Sequence, residues 1–159
     1  MKQKQLYISL VVFILLCFIV QIVGSFWTKE TVATWYPTLT KPSWTPPDWV
    51  FGPVWSALYI MIAVSGWLIY RAEPSPQRTV ALTFYACQLA LNFLWSFLFF
   101  SLRSPILGLI DIVLLCLMIS LTIIKAWPLR PLASLLLIPY LLWVMYATSL
   151  NAGIFLLNR

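Results

Sequence analysis

Long apolar runs divided by short polar stretches dominate the chain. A run of about 20 residues spans a bilayer as a helix. Five runs reach that length: Leu6–Phe26, Trp49–Tyr70, Thr79–Leu102, Ser104–Ile124 and Pro131–Leu156, the last continuing without charge to Asn158. Only the fourth contains a charge, Asp111. The turns at Ala72–Arg78, near Arg103 and at Lys125–Arg130 are short, so neighbouring helices should run antiparallel. One sizeable connection remains, Trp27–Asp48, and it is rich in tryptophan and proline. The pattern predicts an all-α integral membrane protein, a bundle of five transmembrane helices in one transmembrane domain covering residues 1–159. Lys2 and Lys4 before the first run have the look of a signal peptide. The run is too long for that, and Val23-Gly24-Ser25 makes a poor cleavage site, so it is read as a retained span.

Composition narrows the chemistry. The chain is 62% hydrophobic and 9% charged, far from the balance of a soluble domain. The net charge of +6 comes from basic residues placed singly at the ends of apolar runs, without the patch or stripe that nucleic acid requires. There is no histidine, which removes the commonest general base, metal ligand and haem ligand, and neither a metal nor a cofactor is expected. Cys17, Cys87 and Cys116 lie inside apolar runs without a Cys-x-x-Cys spacing and read as packing residues. Lys2, Lys4, Arg71, Arg78, Lys125 and Arg130 fall on one side of the membrane, against Lys29, Lys41, Arg103 and Arg159 on the other. That bias puts the N-terminus in the cytoplasm and the first loop outside.

Depth, taken at about 1.5 Å of rise per residue, sorts the unusual residues. Trp55 and Tyr59 start span two beside the loop. Asn92 and Trp95 fall in the half of span three nearer the loop, Asp111 lies early in span four, and in span five Trp143 lies near mid-membrane with Asn151 nearer the loop. Gln21, Gly24 and Ser25 end span one. Polar and aromatic groups from five helices thus gather in one membrane half, under one loop. Gln88, Asn92 and Trp95 share a helix face, as do Pro139, Trp143 and Ala147. Amides in a bilayer need partners, so these faces should point inward.

Each residue also has a structural reading. Trp27, Trp49, Trp67 and Trp127 fit an interfacial belt, whereas Trp95 and Trp143 are too deep for one and either pack the core or line a pocket. Gln88 and Asn92 serve equally as interhelical glue or ligand contacts. Asp111 is a functional candidate as the sole intramembrane charge, but a hydrogen bond to a neighbouring helix, or a pairing with Arg103, accounts for it more simply. Pro139 frees the carbonyl of Leu135 and should kink span five beside Trp143. Ala86-x-x-x-Ala90 marks a close helix contact, within the fold or in a homodimer.

The loop pattern Trp35-Tyr36, Leu39, Lys41-Pro42, Trp44, Pro46-Pro47, Phe51, Pro53, Trp55 resembles the translocator protein family, also called tryptophan-rich sensory proteins or peripheral-type benzodiazepine receptors. So do Gln88 to Ser96 in span three and Pro139-Tyr140, Trp143, Ala147-Thr148, Leu150-Asn151 in span five. The resemblance covers nearly the whole chain. It implies a bundle of five transmembrane helices, often dimeric, whose first loop is a lid over a ligand cavity. It implies binding of porphyrins, notably protoporphyrin IX or another tetrapyrrole, and of synthetic isoquinoline and benzodiazepine ligands. Carried across by position, the ligand-binding residues are Gly24, Ser25, Tyr36, Pro46, Trp55, Tyr59, Asn92, Trp95, Trp143 and Ala147. Lys41 is the candidate partner for porphyrin propionates, so Lys41→Ala should weaken a diacid more than its dimethyl ester. The C-terminal stretch offers Phe155 where a cholesterol motif needs tyrosine, so no cholesterol binding is expected.

Three functions remain. A membrane receptor or sensor for porphyrins ranks first. Light- and oxygen-dependent breakdown of protoporphyrin IX, with Trp55 and Trp143 as photochemical catalytic residues, is second. Tetrapyrrole or lipid transport is third, disfavoured by the odd number of spans and the lack of inverted repeats. The compact chain points to a bacterial plasma membrane.

Overall fold

The computed structural model describes residues 3–159. Lys2 and the Lys4 side chain, which enter the charge count above, lie outside the described residues. Five helices form: α1 (Gln3–Thr34), α2 (Phe51–Tyr70), α3 (Pro76–Ser96), α4 (Pro105–Ala126) and α5 (Pro131–Leu157). All five are long and apolar enough to cross a membrane, and no strand occurs among the described residues. Local sequence sets their starts. Pro76, Pro105 and Pro131 occupy first-turn positions, where a missing N–H costs nothing. The Ser75 hydroxyl accepts from the Arg78 amide at 3.2 Å, and the Ser104 hydroxyl from the Leu107 amide at 3.4 Å, capping α3 and α4.

The helices close into a ring. α1 packs on α2, α2 on α5, α5 on α4, α4 on α3, and α3 back on α1. Ile62, Leu115, Ile119, Leu137 and Tyr140 fill the half far from the first loop and its adjoining middle, each almost wholly buried. Small polar groups tie the ring inside the apolar medium. The Ser65 hydroxyl donates to the Ala133 carbonyl at 2.8 Å, joining α2 to α5, and the Ser134 hydroxyl donates to the Ile123 carbonyl at 2.8 Å, joining α5 to α4. The Tyr85 hydroxyl donates to the Ile62 carbonyl at 3.0 Å and lies 3.6 Å from the Cys17 sulfur, a junction of α1, α2 and α3. Cys17 is fully buried in this contact, and no cysteine is disulfide-bonded.

Two local features depart from the expected pattern. The first span does not stop at Phe26: α1 runs on to Thr34. An apolar run ends at its first charge, but Lys29 and Glu30 are solvent-exposed and do not break the helix. The hydroxyls of Thr28, Thr31 and Thr34 bond back to the carbonyls of Gly24, Trp27 and Glu30 and so cost the helix nothing in stranded polar groups. The irregular connection is therefore shorter than Trp27–Asp48. It starts at Trp35 and contains only two short 3-10 turns, Tyr36–Thr38 and Asp48–Val50. Second, α3 continues into a π-helical turn at Phe97–Ser101, and the chain then reverses at Arg103, whose φ of 49° is left-handed.

Two polar side chains lack the partners expected of them. Asp111 is 3% exposed, yet its Oδ2 has no hydrogen-bond partner, and it forms no ion pair with the exposed Arg103. Gln88 is fully buried with both atoms of its amide unpartnered and does not line the cavity, so it serves as neither the interhelical glue nor the ligand contact between which the sequence pattern left it.

The junction at Tyr85 yields a stability prediction. A Cβ at Gly66 would run into the Tyr85 phenol ring, whereas a Cβ at Gly52 meets nothing within 4 Å. Gly66→Ala should cost about 1–3 kcal/mol by overpacking, and Gly52→Ala should stay within about 0.5 kcal/mol. Thermal unfolding of the two variants in one detergent checks this; equal midpoints would refute the close packing at Tyr85.

Candidate functional site

Toward the first loop the ring is not filled. It encloses a cavity of about 480 Å³, within the range of small-molecule sites. The floor is a hydrogen-bonded trio. Asn92 on α3 accepts from the Tyr59 hydroxyl of α2 through Oδ1 and donates to the Tyr140 hydroxyl of α5 at 2.8 Å. Asn92, Tyr59 and Tyr140 are all buried, so these bonds form in low dielectric and fix the three helices relative to one another. Asn92 is thus both glue and cavity wall.

The walls are aromatic. Trp55 tilts against Tyr59 with ring centroids 5.7 Å apart and meets Tyr140 edge-on at 6.3 Å. Trp143 packs edge-on to Phe51 at 5.8 Å. Trp95 stacks on Phe99 at 5.1 Å and donates its indole N–H to Asn151 Oδ1 at 3.2 Å. The Asn151 amide in turn donates to the Pro105 carbonyl at 2.7 Å, which ties the start of α4 to α5. The π-helical turn brings Phe99 and Phe100 under the loop, where both pack on Tyr36. Trp143 lines the cavity, while its indole N–H is buried and without a partner.

The loop is pinned mainly by α5. Asn158 holds both backbone polar groups of Thr40, accepting from its N–H and donating to its carbonyl, each at 2.9 Å. Tyr146 donates to the Trp44 carbonyl at 2.7 Å. Between these, Gly153 lets the Pro42 ring lie directly on the helix, where a Cβ would collide with it. Tyr36 closes the cavity from above, and the Lys41 ammonium sits 4.1 Å from its ring centroid. Burial pushes the Tyr36 phenol above the ordinary tyrosine range, and the nearby Asp48 carboxylate pushes the same way. The phenol stays neutral at physiological pH.

Nine of the eleven sequence-derived binding positions surround this one cavity: Gly24, Ser25, Tyr36, Trp55, Tyr59, Asn92, Trp95, Trp143 and Ala147. Lys41 and Pro46 are not part of its wall. Lys41 reaches the site only through Tyr36. Sequence reasoning passed over Phe99 and Phe100, since neither carries a polar group and the π-helical turn that aims them has no clear sequence mark. It also passed over Lys29 and Asp48, which line the cavity although both lay in what was read as loop. Trp27 is more than a belt residue: it packs on Phe93 and Phe97 at 4.7 and 5.2 Å.

A ring of five apolar helices with a lidded aromatic cavity in one half defines an integral membrane protein built around a small-molecule site. Comparison with known proteins gives the family. The model of the TspO/MBR family matches residues 13–157, and the chain belongs to that family. It is 43% identical over 151 residues to tryptophan-rich protein TspO of Archaeoglobus fulgidus, covering 95% of this chain and 97% of that protein. It is 43% identical to the protein of the same name from Chlorobaculum tepidum, over 90% of this chain and 91% of the relative. The human translocator protein is 37% identical over 81% of this chain and 78% of its own length.

The clamp at Asn158 predicts a local effect. Asn158→Ala should raise the hydrogen-exchange rate of the Thr40 amide about tenfold or more, in line with a lost ~1.4 kcal/mol of local stability. Exchange in the middle of α5 should not change. An unaltered Thr40 rate would show that the lid is held elsewhere.

Proposed function

We propose that this protein is a membrane receptor or sensor that binds protoporphyrin IX or another tetrapyrrole in the cavity beneath the first loop. The observation that supports this best is the set of three indoles, Trp55, Trp95 and Trp143, around one apolar chamber with few polar groups. Such walls suit a flat, apolar macrocycle that stacks on indole and needs little polar orientation. Synthetic isoquinoline and benzodiazepine ligands share that flat, apolar character and compete for the same space. In this reading Ser25, Gly24 and Ala147 leave room for the ligand, and Lys41 and Pro46 act on the lid. The names of relatives, among them a tryptophan-rich sensory protein from Cereibacter sphaeroides, agree with a sensing role.

A second reading is favoured by one feature. Trp55 and Trp143 both face the chamber, and the Trp143 indole N–H is unpaired. A photoexcited porphyrin held there would draw an electron from an indole, the most readily oxidised side chain present, with dioxygen as the terminal oxidant. Ligand breakdown would then follow binding.

One experiment separates the two. Purified protein is illuminated with protoporphyrin IX in air while tryptophan fluorescence and porphyrin absorbance are followed together, alongside Trp55→Phe and Trp143→Phe. Quenching with a stable porphyrin spectrum is expected for a receptor. Protein-dependent loss of the spectrum that either Phe variant slows about tenfold would instead establish photochemical turnover. Absence of both signals would refute porphyrin binding.

The setting is proposed as a bacterial plasma membrane, with the N-terminus cytoplasmic and the lid outside. A cysteine-accessibility map that placed position 41 inside would reverse it. A homodimer is proposed across the shallow groove between α1 and α3, where Ala86 and Ala90 lie among Leu16, Val20, Leu89 and Phe93. Ala86→Leu combined with Ala90→Leu should turn a detergent-solubilised dimer into a monomer by light scattering; a wild-type monomer would rule it out.

A further inference from the structure

The cavity has a distinct mouth. Of the residues around it, Ser25, Lys29, Asp48 and Gly52 are exposed, and the rest are buried or half-buried. Ser25 and Lys29 belong to α1, while Asp48 and Gly52 belong to the turn and helix start leading into α2. The opening therefore faces outward between α1 and α2, whereas the clamps at Asn158, Gly153 and Tyr146 all come from α5 and its C-cap residue. Small residues keep it clear, since a Cβ at Gly52 would meet nothing within 4 Å. The seam is joined again near Gln21, whose amide donates to the Ser56 hydroxyl at 3.3 Å.

Two opposite charges stand at this mouth. Among the described residues, neither Lys29 nor Asp48 takes part in a salt bridge. A ligand with an apolar body and a charged edge enters such a chamber body first, because burying the charge costs far more than leaving it at the rim. A carboxylate left at the rim meets one cation of the cavity wall, Lys29, and one anion, Asp48.

We propose that Lys29 is the residue that selects carboxylate-bearing ligands, and that Asp48 opposes it, so that the mouth between α1 and α2 reads the acidic edge of a flat amphiphile whose body fills the chamber. This rests on the ligand reading given above and changes one part of it. The acid-recognising cation is Lys29 on α1, and Lys41 instead steadies the Tyr36 ring. Both charges sit at an exposed rim, so their effects are modest and salt-sensitive.

Protoporphyrin IX and its dimethyl ester test this, since they share one macrocycle and differ in charge. Affinities for both come from tryptophan quenching in the dark, for the full-length wild type and for Lys29→Gln, Asp48→Asn and Lys41→Gln, at low and high salt. Lys29→Gln should weaken the diacid about three- to fivefold at low salt and leave the ester unchanged, retained ester binding also proving the variant folded. Asp48→Asn should tighten the diacid by a similar factor. Lys41→Gln should affect both ligands alike. High salt should erase the Lys29 and Asp48 effects. An unchanged ratio of diacid to ester affinity in Lys29→Gln overturns the inference while leaving the cavity reading intact. Wild type binding neither compound overturns both.

Discussion

Three helices of this bundle meet on one amide. Asn92 takes a hydrogen bond from Tyr59 and gives one to Tyr140, so α2, α3 and α5 cannot shift relative to each other without stranding a buried polar group. In water such groups would have substitutes. In a bilayer they have only one another. The trio therefore does two things with the same atoms. It sets the spacing of the helices that carry Trp55, Trp95 and Trp143, and it forms the floor above which side-chain packing gives way to open volume. Below it, Ile119 and Leu137 are packed without exposure; above it the ring is held apart by indoles.

α5 extends that order to the lid. Its lower turns pack on α2 and α4 through the Ser65 and Ser134 hydroxyls, its middle supplies Tyr140 and Trp143, and its last turns hold the loop at Trp44, Pro42 and Thr40. One rigid element thus connects floor, wall and lid. The prolines of the loop contribute by limiting the unfolded alternatives that an open loop would have. The clamp bonds contribute by naming one of those alternatives. An apolar chamber needs such a cover, because water admitted freely would compete for the same indole faces that a ligand uses.

Much of this was legible in the sequence because depth along a transmembrane helix is arithmetic. Run length located the five helices, and turn length made neighbours antiparallel, so Trp55, Asn92, Trp95 and Trp143 had to share one end of the bundle. The family pattern then supplied residues such as Tyr36 and Ala147, whose types alone say little. What escaped was of two kinds. Features that depend on irregular backbone left no periodic trace, as with the π-helical turn that aims Phe99 and Phe100 under the lid. Features that depend on which neighbour a polar atom meets also escaped. Gln88 lies one turn from Asn92 on the same face, yet only Asn92 finds tyrosine hydroxyls at its level. Lys29 was hidden by a rule: charges end an apolar run, but they do not end a helix whose next turn lies outside the hydrocarbon.

The stranded polar atoms are not equivalent, and their places separate fold from function. Gln88 and Asp111 lie buried on α3 and α4 outside the cavity wall, so whatever they cost is carried by the packing around them. Trp143 differs, as does Gln21, because its unpaired atom belongs to a residue of the wall. A phenylalanine would fill similar space without leaving a donor unmet. Keeping an indole there costs stability, since its N–H is buried away from any acceptor while its ring serves the wall. Trp95, whose N–H is already committed to Asn151, offers only its face. The chamber thus presents stacking surfaces on several sides. Together with the asymmetric charges at the mouth, that gives an otherwise greasy cavity the means to hold a flat ligand in one orientation.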